Sequence, residues 1–114
     1  MEFLYLNFNF YLLISESYVL KAANDLCSNT LLIDNLDKCK SGITYLKNHG
    51  VDVVYQNTES VATWPKGCYR YNLNSGDKVY WNTHSSGKAN YRAQPICKEG
   101  EYIKITIPNL LQEF

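Results

Sequence analysis

The residues best suited to chemistry in this chain of 114 are four cysteines, Cys27, Cys39, Cys68 and Cys97. An even count in a short chain, with no close pair, reads as a disulfide framework. A zinc site usually places two ligands about two to four residues apart, whereas the nearest cysteines here have eleven residues between them. Two other readings remain at this point: four buried thiols, or a metal site that joins cysteine to His49 or His84. The spacing favours bridges, so neither metal nor cofactor is expected, and an oxidising compartment follows.

Other reactive side chains are sparse. His49 and His84 are the only imidazoles, and neither belongs to a local nucleophile motif. Ser85 and Ser86, beside His84, form a polar turn without the G-x-S-x-G elbow that would expose a serine nucleophile. His49 stands where it can cap the carboxyl end of a helix. The acids are scattered, and no phosphate loop, dinucleotide fingerprint or calcium loop is present. No catalytic residue is assigned, and the expectation is a protein that is not an enzyme.

Composition points the same way. Eleven basic residues balance eleven acidic ones, without the clustering that a nucleic-acid backbone requires. Ten Tyr, four Phe and two Trp supply large amphipathic rings, the type enriched at contact surfaces. The candidate ligand-binding set lies on one hairpin and the loop after it: Tyr69, Arg70, Tyr71, Tyr80, Trp81, Asn82 and His84. These rings with polar edges suit a glycan or a partner protein; the plainer reading is that they fill a small core.

The elements that position these residues follow from pattern. Tyr18 to Lys21 is a short strand. Leu36, Cys39, Ile43 and Leu46 recur at helical spacing, with Asp34 as cap and Asp37 favoured at the helix start. Gly50 closes the helix, while Gly42 within it suggests close packing on a sheet. Val51 to Tyr55 reads as a strand and Gln56 to Thr63 as a loop. After the Trp64-Pro65-Lys66-Gly67 turn, Cys68 to Leu73 and Lys78 to Asn82 form a hairpin about Asn74 to Asp77. Gln94 to Lys98 is extended, and Ile103, Ile105 and Ile107 alternate in a last strand closed by Pro108. The expected fold is α+β, with one helix on a small, mainly antiparallel sheet.

The amino terminus is apolar. Phe3 to Ile14 is too short for a spanning helix, which needs about 20 residues, so no membrane span is expected. Its period-two alternation suits a strand; a helix, or a signal-like segment lacking a basic start, are the alternatives. A retained apolar strand invites pairing with another chain. The chain divides accordingly into an apolar segment 1–17, a cysteine-stapled domain 18–98 and a carboxyl-terminal strand and tail 99–114.

Four cysteines allow three pairings, and spacing does not choose among them. Cys39 lies on the helix face that packs on the sheet and Cys68 opens the hairpin. Joining these two would fasten helix to sheet and leave Cys27 to Cys97 as the tie between the flanking segments.

The residues Trp64-Pro65-Lys66-Gly67-Cys68-Tyr69, Val79-Tyr80-Trp81-Asn82-Thr83-His84, Gly87 and Pro95-Ile96-Cys97-Lys98 form an ordered set. With the preceding Y-V-L segment and two further cysteines, the stretch from Tyr18 to Lys98 resembles a small four-cysteine module. That module occurs in uncharacterised secreted or surface proteins of algae and other protists, and of the large DNA viruses that infect them. The chain departs from the pattern by Gly42, where Ala is expected. A looser likeness to apple/PAN-type modules is architectural and carries no residues across. The resemblance implies an extracellular or virion-surface setting. Together with the apolar termini, it leads to a structural or assembly protein whose partners are other chains, its own copies or a capsid or matrix lattice. The alternative is a module that recognises glycan or protein through the hairpin aromatics.

Overall fold

The computed structural model describes residues 2–6, 10–72 and 76–106, with side chains over 16–72 and 76–100. It contains strands β1 (Glu2–Leu6), β2 (Phe10–Leu20), β3 (Val54–Glu59), β4 (Gly67–Tyr71), β5 (Lys78–Asn82) and β6 (Ala93–Thr106), and one helix, α1 (Leu36–Asn48). A 3-10 turn covers Asn29–Leu31. The chain forms two compact units, Tyr18–Glu99 and a second made from Met1–Ser17 with Gly100–Phe114.

In the larger unit the strand order is β2-β6-β4-β5-β3, so the fold is α+β with a mostly antiparallel sheet. The β4–β5 hairpin pairs Cys68 with Trp81, Tyr69 with Tyr80 and Arg70 with Val79. β6 joins the other side of β4, setting Pro95 opposite Tyr69. At the far edge β3 runs parallel to β5, with a register shift between Tyr55 and Asn57. That bulge lets Tyr55 and Thr58 share a face, where their hydroxyls meet at 2.7 Å; an unbroken period of two would have parted them.

The helix explains the core. It starts at Asn35, not at Asp34 as its sequence suggests: the Asn35 side chain accepts from the Lys38 N–H at 2.8 Å. Asp34 Oδ1 instead accepts from Asn35 Nδ2 at 3.1 Å. Asp37 occupies the first turn, where a carboxylate complements the helix dipole. At the other end, Gly50 takes φ +82°, and His49 Nδ1 bonds the Tyr45 carbonyl at 2.7 Å while its ring stacks on Tyr45.

Cys39, Gly42, Ile43 and Leu46 are the buried helix positions. A β-carbon on Gly42 would lie 3.1 Å from Tyr18 Cδ1 and 3.3 Å from Ile96 Cγ2, which accounts for glycine in mid-helix. Tyr18, Ile33, Val53, Cys68, Val79 and Ile96 complete the core. Each fully buried aliphatic side chain there contributes roughly 1.5 to 3 kcal/mol.

Both bridges are present: Cys39–Cys68, buried between helix and sheet, and Cys27–Cys97, with Cα separations of 5.5 and 5.6 Å. No cysteine is free, so the thiol and metal alternatives do not hold. The strand expected at Val51 to Tyr55 begins later, at Val54, and takes up half of the expected loop. Val53 is already buried at 1% while Val54 is 45% exposed, so the alternation is correct but ladder pairing starts only at Val54.

In the smaller unit the apolar amino terminus is two antiparallel strands instead of one. The register sets Leu4 opposite Leu12, Leu6 opposite Phe10, Phe3 opposite Leu13 and Tyr5 opposite Tyr11. At the carboxyl end β6 continues through Thr106, merging two strands expected separately. Ile107, Pro108 and the center of the hairpin turn at Asn74 and Ser75 lie outside the described residues. Among the described residues no helix is long and apolar enough to cross a membrane.

Candidate functional site

Strand pairing sorts the hairpin residues onto two faces, because partners in register share a side of the sheet. Arg70, Val79 and Trp81 lie on the helix side with Cys68; Tyr69, Tyr71, Tyr80 and Asn82 lie on the other. The seven residues proposed as one ligand-binding set are therefore divided by the sheet.

On the side away from the helix the rings form a ladder. Trp64 stacks on Tyr69 at 5.6 Å with planes 4° apart, and Tyr69 stacks on Tyr80 at 5.6 Å. Tyr71 meets Trp64 in a tilted contact. Tyr69, only 2% exposed, is thus packed against two rings, and its hydroxyl donates to the Glu59 carboxylate. Burial, then the hydrogen bond and charge of Glu59, push the Tyr69 phenol above the usual tyrosine range. Trp64, Tyr71 and Tyr80 are half-buried and present the remaining ring surface.

Asn82 is 1% exposed, and its amide is spent within the chain. Its Oδ1 accepts from the backbone N–H groups of Val61 and His84 at 3.0 and 3.2 Å. Its Nδ2 lies 2.9, 3.2 and 2.9 Å from the carbonyls of Val61, Trp64 and Pro65. The side chain thereby fastens the 61–65 loop, which carries Trp64, onto the end of β5. Gly87 lies against the same loop: a β-carbon there would be 2.5 Å from the Trp64 carbonyl oxygen and nearer still to the Lys66 nitrogen. The Lys88 N–H also bonds the Trp64 carbonyl, at 2.9 Å.

Arg70 is likewise engaged. Its Nε and Nη2 reach Gln94 Oε1 at 3.2 and 2.8 Å, and Nη1 donates to the Asp52 carbonyl at 3.0 Å. His84 Nδ1 accepts from the Ser86 N–H at 3.1 Å, with the Ser86 hydroxyl at 3.4 Å. The lone pair that would take a proton from that hydroxyl already holds a backbone N–H. Among the described residues no group of three His, Cys, Asp or Glu side chains could hold a metal.

On the helix side Trp81 lines a cleft of about 470 Å³ with Leu32, Leu36, Gly67, Lys66 and Asp34 among its walls. Apart from Trp81 and Asn82, sequence reasoning assigned none of the lining residues to a binding site. Leu32 and Leu36 flank a cap and carry no motif, while Lys66 and Gly67 read as turn residues. Trp64 also belongs to the aromatic face and lies outside the expected set, although a tryptophan ahead of the Pro-Lys-Gly turn is a usable signal.

Comparison with family models, with curated proteins and with solved structures gives no match to this chain.

Proposed function

We propose that the protein is a non-enzymatic assembly or interaction component of an extracellular or virion-surface setting, which engages other chains through its terminal strands. The observation that carries this reading is the β1–β2 register, which pairs apolar residue types at Leu4–Leu12, Leu6–Phe10 and Phe3–Leu13. Successive pairs of that register belong to alternate sides of a strand, so apolar residue types recur in both sets of alternating positions. β2 pairs with β6 on its other side, which leaves β1 as the edge strand, and an apolar edge strand favours pairing with a further chain. Two disulfides in a unit of this size suit an oxidising environment.

The test is the association state of the full chain, wild type against Leu4→Lys/Leu12→Glu. Opposite charges at directly facing positions keep the cross-strand pair favourable while removing its apolar surface. Sedimentation should show self-association, or capture of a partner chain, in the wild type only. A wild-type protein that stays monomeric and binds no chain at high concentration refutes the reading.

A second reading is recognition of a glycan or protein by side chains of the β4–β5 hairpin. It is favoured by partly exposed aromatic rings on both faces of that hairpin, Tyr71 and Tyr80 on one and Trp81 on the other.

A further inference from the structure

The Trp81 cleft has features that separate it from the tyrosine face. Gly67 forms part of its wall with φ +93°, and a β-carbon there would lie 3.1 Å from Leu32 Cδ1 and 3.8 Å from Trp81 Cζ3. A bare glycine thus keeps open the space between a leucine and an indole. Its volume, about 470 Å³, lies within the roughly 300 to 1,000 Å³ typical of small-molecule sites. Leu32, Leu36 and Trp81 give it apolar walls, and Asp34, Asn35, Lys66 and Thr83 are its exposed polar residues.

Charge narrows the ligand class. One carboxylate, Asp34, and one ammonium, Lys66, leave the lining with no net charge, so neither a strong anion nor a cation is favoured as a class. A purely aliphatic ligand would leave the polar residues without a role. What matches an indole wall, a neutral lining and mixed donors and acceptors is a ring with an apolar face and a hydroxylated edge. The tyrosine face is less suited, because its central ring, Tyr69, is already stacked against Trp64 and Tyr80 and is buried.

We infer that the cleft between Leu32–Leu36 and Trp81 binds a neutral hexopyranose, its apolar face against Trp81 and its hydroxyls toward Asp34, Asn35 and Lys66. This rests on the recognition reading and places its saccharide site on the helix side of the hairpin.

The test titrates the disulfide-intact full chain with the methyl glycosides of glucose, galactose and mannose, following backbone amide and indole N–H shifts by NMR. Saturable shifts are expected at residues 32–36, at Lys66, Gly67 and the Trp81 indole for at least one sugar. Asp34→Ala and Lys66→Ala, both at exposed positions, should each weaken binding by about tenfold, or 1.4 kcal/mol, with changes in the spectrum of the free protein confined to the neighbourhood of each substitution. Shifts confined to Trp64, Tyr71 and Tyr80 would overturn the placement while leaving saccharide recognition standing. No saturable shift with any of the three sugars up to tens of millimolar, or undiminished binding by both variants, would overturn the inference itself.

Discussion

At the scale of single residues, one buried amide ties several stretches of backbone together. Asn82 satisfies backbone groups of Val61, Trp64, Pro65 and His84 from a position 1% exposed. Truncation strands several of these partners at once, and each unsatisfied buried group costs about 1 to 3 kcal/mol. Asn82→Ala should therefore lower unfolding stability in urea by about 3 kcal/mol or more. Asn82→Asp should be no better, because it sets a carboxylate among carbonyl oxygens. Tyr69 gives a pH signature. Its pKa is raised in the fold, so above about pH 10, where an ordinary tyrosine ionises, the unfolded chain releases a proton that the folded chain keeps. Stability then falls with rising pH, approaching about 1.4 kcal/mol per unit for this group, and is unaffected by it at neutral pH. Tyr69→Phe should flatten that alkaline slope and cost about 1 kcal/mol near neutrality, both measurable by denaturant melts across pH.

Elements reveal where local patterns inform and where they stop. The helix face and the hairpin were legible because apolar spacing and turn residues act over a few positions; the bridges span 29 and 70 residues, and their pairing followed only from placing Cys39 on the helix face and Cys68 at the head of the hairpin. The cap was misplaced by one residue, as Asp34 and Asn35 are both good capping types and only the backbone decides between them. β3 was mostly hidden because an edge strand need bury little: its residues Gln56, Asn57 and Thr58 are all exposed, and its parallel partner, β5, lies about 20 residues further on. The motif set was legible as an ordered pattern, but not its meaning. Asn82 and Gly87 fasten a loop, and Tyr69 sits inside an aromatic stack, so the same letters that suggested a ligand surface largely hold the fold. Gly87 offers a check. Its requirement is steric, with backbone where a β-carbon would go, and overpacking of this kind costs about 1 to 3 kcal/mol. Gly87→Ala should lose that much in thermal or urea unfolding, and the Trp64 fluorescence should change with the loop that carries it.

For the molecule as a whole, the two bridges divide the work of stabilisation. In chain-entropy terms a loop of 29 residues contributes about 3.6 kcal/mol and one of 70 about 4.4 kcal/mol. Losses of that size rival the whole stability of a small domain, so reduction is expected to unfold the Tyr18–Glu99 unit. The expected readout is loss of near-ultraviolet circular dichroism on adding reductant, together with the mass gain of four hydrogens.

The pairing is also nested: Cys39–Cys68 lies wholly within the segment spanned by Cys27–Cys97. Nesting gives oxidative folding a natural order, because the shorter loop closes at a lower entropic cost, by about 0.8 kcal/mol or roughly fourfold in probability. Refolding from the reduced chain, quenched with an alkylating agent, should accumulate a one-disulfide species carrying Cys39–Cys68. Its helix would already be moored to the hairpin while Cys27 and Cys97 remain free to meet last, so that the final covalent step is the locking of a core that has already formed.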